Sequence, residues 1–174
     1  MKKLSMSELG RISSNEFKKT PKTPVIVILD NIRSMNNVGS IFRTCDAFAV
    51  EKLYLCGITA TPPHKDIAKT ALGATESVDW EYAENVVELV HHLKKENIKV
   101  FLVEQTDDSI FLNQFQFPEE KIAVVFGNEV FGVTEGLLPI CDGAIEIPQH
   151  GTKHSLNVTI AAGIVLWECK RVKV

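Results

Sequence analysis

Residues that could do chemistry concentrate in three stretches of this sequence. These are NNVGSIFRTCDAF (36–48), VVFGNEVFGVTEGLL (124–138) and IPQHGTKHSLNVTIAAG (147–163), called here the first, second and third motifs. Each combines glycine with amide, hydroxyl or charged side chains. Glycine lets a backbone approach a ligand closely, and backbone amides at a helix N-terminus can hold an anion. The three motifs are therefore candidate parts of one binding site.

Each polar residue also has a purely structural interpretation. Asn37 could cap a helix that begins near Val38, and Arg43 could be a surface cation on that helix. Glu129 could accept the amides of a turn, and Ser155 could cap the last helix. Taken singly, these structural roles are favoured. Explaining all four residues in this way requires four independent structural roles, so the motifs taken together favour one assembled site.

Several common sites are not supported by the sequence. No GxGxxG follows the first apolar run, and no GxxxxGK[ST] occurs, so a standard dinucleotide or nucleoside-triphosphate site is not predicted. His150 and His154 are four residues apart, but Pro148 and Gly151 argue against a helix there, so we predict no metal site. Ser155 lacks a GxSxG context and a convincing base and carboxylate partner.

The motifs must be positioned by the elements around them. Short apolar runs alternate with helical patterns, which predicts an α/β fold with a parallel sheet covered by helices on both faces. In such sheets ligands bind beyond the carboxyl ends of the strands, where all three motifs lie. The predicted strands are 25–29, 52–56, 77–82, 99–104, 121–127 and 144–148. The predicted helices are 38–48, 66–72, 83–97, 134–138 and 155–171. The irregular segment 105–120 is expected to cross an edge of the sheet.

The composition is that of an ordinary globular domain. The 174 residues are 45% hydrophobic and 24% charged, which excludes collagen-like, disordered and disulfide-scaffold classes. A net charge of -3 gives no general attraction to nucleic acid, so any such contact must be local. Residues 1–24 carry six basic and two acidic side chains, a net charge of +4. We therefore divide the chain into a basic arm (1–23), which could be solvated or lie on RNA, and one domain (24–174).

Location and assembly can also be predicted. The four cysteines form no CxxC pair and are expected to be small buried residues in a reducing compartment. No secretory signal is present, and the longest apolar stretch, 158–167, is too short to span a membrane, so we expect a cytoplasmic protein. The last helix is apolar on nearly all sides. We expect the sheet to cover one side and a second subunit to cover the other.

The three motifs, in order and spacing, resemble those of the SpoU (TrmH) branch of the SPOUT RNA methyltransferases, over residues 24–171 or so. This resemblance implies transfer of a methyl group from S-adenosylmethionine to a ribose 2′-hydroxyl of tRNA or rRNA. It also implies a homodimer and a C-terminal deep trefoil knot that forms the cofactor pocket, an exception to the rule that chains avoid knots.

The resemblance implies a set of site residues. The catalytic positions would be Asn37, Arg43, Glu129, Ser155 and Asn157. The cofactor-binding positions would be Glu104, Gly127, Asn128, Ile147 and Leu156.

In the family Arg43 would activate the ribose hydroxyl together with an RNA phosphate. A guanidinium has a pKa above about 12 and no acceptor, so holding the phosphate and stabilising oxyanion charge suit it better than a literal base. Asn37 and Ser155 would position the ribose and the arginine. Glu129 would brace the loops, and Asn157 would lie at the cofactor end of the last helix.

The sequence departs from the family pattern at two points. Ala49 stands where relatives usually have glycine, and no fused RNA-binding domain is recognised. The RNA substrate is therefore expected to dock on the arm and on the face of the first motif.

Two alternative functions stay open. One is a knotted RNA-binding protein without turnover, and the other is a methyltransferase acting on a protein or a small molecule.

Overall fold

A computed structural model describes residues 1–5 and 7–172, and its centre is a seven-stranded sheet. The strands are β1 (Thr23–Asp30), β2 (Val50–Cys56), β3 (Trp80–Ala83), β4 (Lys99–Val103), β5 (Ile110–Phe111), β6 (Ile122–Phe126) and β7 (Gly143–Glu146). They lie in the order β3-β2-β1-β6-β4-β7-β5, and every pair is parallel. The predicted parallel α/β sheet is confirmed.

Helices surround this sheet. They are α1 (Ser14–Lys19), α2 (Met35–Ala47), α3 (Lys65–Ala71), α4 (Ala74–Ser77), α5 (Val86–Lys95) and α6 (Val158–Val172), with a short 3-10 turn at Glu135–Leu137. None of the helices in the described ranges is long and apolar enough to cross a membrane.

Both faces of β1 are buried, which explains its continuous apolar sequence. Val25, Val27 and Leu29 join a core cluster with residues of α2 and α6, whereas Ile26 and Ile28 join a second cluster with residues of α5. Alternate side chains of a strand point to opposite faces, so a strand with helices on both sides must be apolar at every position. The helices therefore cover both faces, as predicted.

Helix α2 carries the first motif and is capped by Ser34, whose Oγ accepts a hydrogen bond from the Asn37 backbone amide at 3.3 Å. The predicted start at residue 38 was three residues late, because the cap lies upstream of Asn37 and leaves the Asn37 side chain free for another role. Gly39 faces α3. A methyl group on it would collide with the Thr70 hydroxyl and the Ile67 backbone oxygen, so the glycine of this motif permits close helix packing.

Helix α6 begins at Val158, three residues after its predicted start. Asn157, not Ser155, caps it: the Asn157 Oδ1 atom accepts from the Thr159 amide at 2.8 Å. One side of the helix is buried against the core. On the other side Ile160, Ile164 and Trp167 are 53%, 37% and 58% exposed, and we call these three residues the α6 stripe.

Other boundaries differ from the predictions. Residues 74–77 are helical, so the predicted strand 77–82 is confined to β3, and the predicted helix 134–138 is the 3-10 turn. Strand β5 lies at the sheet edge within the irregular segment 105–120, as expected. In the basic arm, α1 carries a capping box between Ser13 and Glu16 and contacts α4.

All four cysteines are free thiols. Cys45, Cys56 and Cys169 are buried as predicted, whereas Cys141, in the segment between the 3-10 turn and β7, is only half-buried. Burial raises the pKa of Cys56 to about 12, with a further contribution from the nearby Asp30 carboxylate. Such a thiol stays protonated and unreactive at neutral pH.

Candidate functional site

The first and second motifs meet at the carboxylate of Glu129. It accepts hydrogen bonds from the backbone amides of Arg33 at 2.9 Å and Ser34 at 3.1 Å, and from the Asn37 side-chain amide at 2.9 Å. We call this arrangement the Glu129 clamp. It joins the loop after β6 to the start of α2 and fixes the Asn37 side chain.

The clamp favours the ionised form of Glu129. Partial burial works to raise the pKa of this carboxyl. The hydrogen bonds from the Arg33 amide, its own amide, Asn37 and Ser34 act in the opposite direction, and the net result is a pKa below the usual value. Glu129 is therefore an anion at neutral pH and a fixed negative charge at the site.

Asn128 shapes the loop that presents Glu129. Its Oδ1 atom accepts from the amides of Val130 at 2.8 Å and Phe131 at 3.1 Å, and its Nδ2 atom donates to the Asn31 carbonyl at 2.7 Å. The backbones of Asn128 and Gly132 also form a bridge. Since Asn128 is 8% exposed and both its Oδ1 and its Nδ2 atoms are hydrogen-bonded within the protein, its side chain holds the loop.

Asp30, at the end of β1, ties down the far side of the same loop. Its carboxylate is fully buried and accepts from the Thr134 amide at 2.6 Å and the Thr134 hydroxyl at 3.0 Å. Asn31, the next residue, donates to Asp30 at 2.8 Å. Neither Asp30 nor Thr134 was among the site residues predicted from the sequence. A carboxylate directly after a buried apolar run was the signal that could have found Asp30, since such a group must be hydrogen-bonded.

The loop after β6 folds tightly on itself and against Glu104, the first residue after β4. A side chain at Gly127 would collide with the backbone of Gly132 and Val133. A side chain at Gly132, where φ is +70°, would collide with the Glu104 carboxylate. Glu104 accepts from the Gln105 amide at 2.9 Å and the Val133 amide at 3.2 Å. The glycines of the second motif thus allow protein loops to interlock.

A cavity of about 580 Å³ opens beside these loops. Four of the five residues predicted to bind a cofactor line it, and the fifth, Ile147, lines an adjoining cavity of about 130 Å³ that shares Glu104 and Leu156 with the first. Glu129, Ser155 and Asn157 border the larger cavity as well. Three of the five predicted catalytic residues therefore line this cavity, and a fourth, Asn37, is hydrogen-bonded to one of them, Glu129.

Arg43 lies elsewhere in the single subunit. Its exposed side chain lines a separate groove of about 580 Å³ between α2, α3 and α6, together with Lys69, Thr70, Thr159 and Ile160. It does not line the cavity next to Glu129. Ile160 belongs to the α6 stripe, so Arg43 is at the border of the uncovered apolar face.

Ser155 and Asn157 differ in their surroundings. Ser155 is exposed at the mouth of both cavities and makes no hydrogen bond within the described part of the chain, so its hydroxyl is available to a ligand. The side chain of Asn157 is occupied by capping α6, where it also accepts from the Thr159 hydroxyl at 2.6 Å. Among the described residues, no group of three or more His, Cys, Asp or Glu is arranged to hold a metal ion.

Comparison with known proteins gives a family match over most of the chain. The sequence model of the SpoU rRNA Methylase family matches residues 24–167. A tRNA (guanosine(18)-2′-O)-methyltransferase of Thermus thermophilus is 30% identical over 165 residues, covering 95% of this chain and 84% of the relative. A 23S rRNA (guanosine-2′-O-)-methyltransferase RlmB of Neisseria meningitidis is 31% identical, covering 87% of this chain and 60% of the relative.

Solved structures agree with this match. The Aquifex aeolicus TrmH/SpoU tRNA modifying enzyme superposes with a TM-score of 0.81 at 28% identity, over 91% of this chain and 79% of the other. An AdoMet-bound rRNA methyltransferase from Sinorhizobium meliloti shares the fold, with a TM-score of 0.80 at 24% identity over 91% of this chain and 60% of the other.

Proposed function

The chain belongs to the SpoU rRNA methylase family, and on that basis we propose that it transfers a methyl group from S-adenosylmethionine to a ribose 2′-hydroxyl of tRNA or rRNA. The relatives named above act on guanosine in tRNA or 23S rRNA. The observation that carries the proposal is the cavity beside the Glu129 clamp, because residues of the second and third motifs line it and the first motif is hydrogen-bonded to its rim.

The cavity fits S-adenosylmethionine in size and charge. Small-molecule sites usually occupy about 300–1,000 Å³, and the larger cavity, of about 580 Å³, falls in this range. Glu104 and Glu129 place carboxylates at the lining, where negative charge favours a bound cation. Backbone near Glu104, Gly127, Ile147 and Leu156 would hold the cofactor. When bound, it supplies a methyl group activated by a sulfonium.

The residues of the chain must bring a ribose hydroxyl to that methyl group. The Asn37 amide, held by Glu129, and the free Ser155 hydroxyl can hydrogen-bond the ribose at the rim of the cavity. Asn157 sets the start of α6 and with it the floor of the site. Because the hydroxyl and the methyl group must align closely, positioning of this kind can supply much of the rate.

Arg43 would act on the RNA phosphate next to the ribose. A guanidinium binds phosphate through two parallel hydrogen bonds and stabilises negative charge that develops on the attacking oxygen. Within one subunit, Arg43 lines the groove on the α6 side and not the cavity beside Glu129. The proposal therefore has Arg43 of one subunit complete the cavity of the other.

A homodimer through the α6 stripe is part of the proposal. Ile160, Ile164 and Trp167 form an exposed apolar surface at helical spacing, which a second copy of the chain could bury. Arg43 borders this surface, so a partner packed there would approach it.

A C-terminal deep trefoil knot is also proposed. Its support is the family membership together with the strand order, in which β6 lies between β1 and β4 while β7 lies beyond β4. An experimental chain trace in which residues 120–172 do not pass through a loop of the chain would contradict the knot.

We also propose a cytoplasmic location, because the proposed substrates are tRNA or rRNA.

The basic arm is proposed to contact RNA beside the domain of residues 24–174. Its support is its charge of +4 on a chain of net charge -3. Deletion of residues 1–20 should weaken RNA binding and leave cofactor binding unchanged. An unchanged RNA affinity would remove the arm from the proposal and favour a substrate other than RNA.

Incubation with S-adenosylmethionine labelled on the methyl group tests the activity. Total RNA from a strain lacking the gene is the substrate, and labelled nucleotides are mapped after alkaline hydrolysis. Label is expected in alkali-resistant dinucleotides, because a 2′-O-methyl group prevents cleavage at that ribose. Label on a base or on protein, or no transfer at all, would reject the proposal.

A further inference from the structure

Phe131, at the tip of the loop in the second motif, exposes its ring to solvent. It is 83% exposed, and the neighbouring Val130 is 64% exposed. The ring is not on a loose segment, because the Phe131 amide is bound by Asn128 and the loop is closed by the backbone bridge to Gly132. A large apolar ring held in water by a well-bonded loop is unfavourable unless something covers it in use.

The position of Phe131 connects it to the active cavity. The residue lines the cavity beside Glu129 and also an adjoining groove of about 490 Å³. Ile58, which is 66% exposed, and Arg33 line this groove too. Whatever occupies the groove therefore lies directly next to the place where the ribose must bind.

The groove carries one positive charge available to a ligand. The Arg33 side chain is exposed and forms no ion pair with any residue in the described ranges, although its backbone amide belongs to the Glu129 clamp. Glu135 lines the same groove, so an anion is favoured only on the Arg33 side. The surface thus offers an aromatic face, an apolar wall and a cation.

We propose that this surface is a nucleotide-binding subsite, in which Phe131 stacks on one nucleobase of the RNA and Arg33 binds a phosphate of the same strand. The inference rests on the proposed function, because the subsite adjoins the ribose-binding rim. A flat base offers the apolar face that the ring lacks in the free protein. Such stacking tolerates any base, so the subsite would order the strand without choosing its sequence.

Binding of RNA by Phe131 variants tests the stacking. The probes are bulk tRNA and a six-nucleotide single-stranded RNA of mixed sequence, measured by fluorescence anisotropy. Phe131→Ala and Phe131→Leu should bind RNA at least about fivefold more weakly than the wild-type protein, whereas Phe131→Trp should bind it with wild-type affinity. Ile110→Ala, which truncates an exposed apolar side chain on β5 away from these cavities, is the matched control and should leave the affinity unchanged.

Three results would overturn the stacking. They are a smaller loss for Phe131→Ala, wild-type affinity for Phe131→Leu, and a failure of the wild-type protein to bind either probe. The affinity for S-adenosylmethionine and the molecular mass in solution are measured in parallel. If Phe131→Ala changes the cofactor affinity as much as the RNA affinity, or changes the oligomeric state, the ring covers a different surface and the inference is wrong.

Salt dependence tests the phosphate contact. Arg33→Ala should lower RNA affinity and reduce the slope of log affinity against log salt by about one, while Arg33→Lys largely restores both. Lys95→Ala, an exposed cation on α5 away from the groove, is the control. An unchanged slope for Arg33→Ala would remove Arg33 from the subsite.

The inference and the proposed function fail in different ways. Methyl transfer by the wild-type protein with an unchanged KM for Phe131→Ala would reject the subsite and leave the function standing. Phe131-dependent RNA binding without any methyl transfer would support the subsite and reject the function.

Discussion

The Glu129 carboxylate accepts hydrogen bonds from three N–H groups, and it can do so because an ionised carboxylate has two acceptor oxygens and no donor. A glutamine at this position would keep one acceptor oxygen and turn an NH₂ group toward backbone donors. The clamp would open, and Asn37 would lose its fixed orientation at the rim of the cavity.

Glu129→Gln is therefore expected to lower methyl transfer about tenfold or more, since hydrogen bonds to charged groups contribute about 1.5–3 kcal/mol. The measurement is the initial rate with labelled cofactor and saturating RNA. Glu88→Gln, an exposed carboxylate on α5, is the control and should keep the wild-type rate. A wild-type rate for Glu129→Gln would show that the clamp is dispensable.

The same carboxylate predicts a pH dependence. The folded-state pKa of Glu129 is lowered, because its hydrogen bonds outweigh partial burial. A group with a lowered folded pKa contributes stability that is fully present above its unfolded pKa, about 4.3, and is lost as pH falls through the folded value. The Tm of the wild-type protein should exceed that of Glu129→Gln near pH 6, and the difference should shrink toward pH 3. A constant difference across this range would contradict the prediction.

At the scale of the elements, the end of α2 contains a strained residue. Ala49 has a φ of +50°, in the left-handed region that favours glycine, and its carbonyl accepts a hydrogen bond from Thr23 at 2.8 Å. Glycine would adopt this conformation without strain, which is a physical reason for the glycine that the family resemblance leads us to expect here. The alanine keeps the turn at some cost in strain.

Ala49→Gly should raise the free energy of unfolding by about 0.5–1 kcal/mol, because relief of strain exceeds the added backbone entropy. Chemical denaturation measures it. Ala68→Gly in α3 makes the same change within a helix and should lower stability by a similar amount. A loss of stability for Ala49→Gly would show that the turn is not strained.

The elements also show what the sequence could predict. The apolar runs identified the six longer strands. The continuous apolar signal left by burial on both faces is clear in β1 and β6, whereas β3 has no buried residue. The helix starts were less accurate: α2 and α6 begin at caps, Ser34 and Asn157, that compete with other polar residues nearby. Two-residue β5 is too short to leave a periodic pattern.

The site was predictable only in part. Motif spacing could select Asn37 and Glu129, but the pairing of Asp30 with Thr134 joins residues 104 positions apart and leaves no local pattern. Motif spacing also could not reveal that Gly39 and Gly127 permit close packing within the protein. Apolar spacing in the last helix indicated a subunit contact, but spacing does not show which subunit supplies a given side chain, so the placement of Arg43 away from the cavity of its own subunit was not predicted.

For the whole molecule, the position of Arg43 predicts complementation between subunits. A heterodimer of one Arg43→Ala subunit and one Glu129→Ala subunit would contain one site with an intact cavity and an intact arginine from the partner. Differently tagged subunits allow its purification. Transfer at half the wild-type rate is expected, although each parent homodimer is inactive.

If Arg43 acts within its own subunit, this heterodimer has no complete site and stays inactive. A double variant of the α6 stripe, Ile160→Glu with Ile164→Glu, is the companion test. It should have the mass of a single chain, 19.4 kDa, by light scattering and should lose transfer. A dimeric, active double variant would exclude the stripe as the interface.

The strand order also determines when the protein can fold during its synthesis. Both sheet neighbours of β4, namely β6 and β7, follow it in the chain. During translation β4 is synthesised before either of the strands with which it pairs, and pairing between strands distant in sequence is slow. Ribosome-stalled chains that expose residues 1–115 should be digested by protease, whereas chains that expose the full length should resist. Resistance of the shorter chains would mean that the first two thirds of the nascent protein folds by itself.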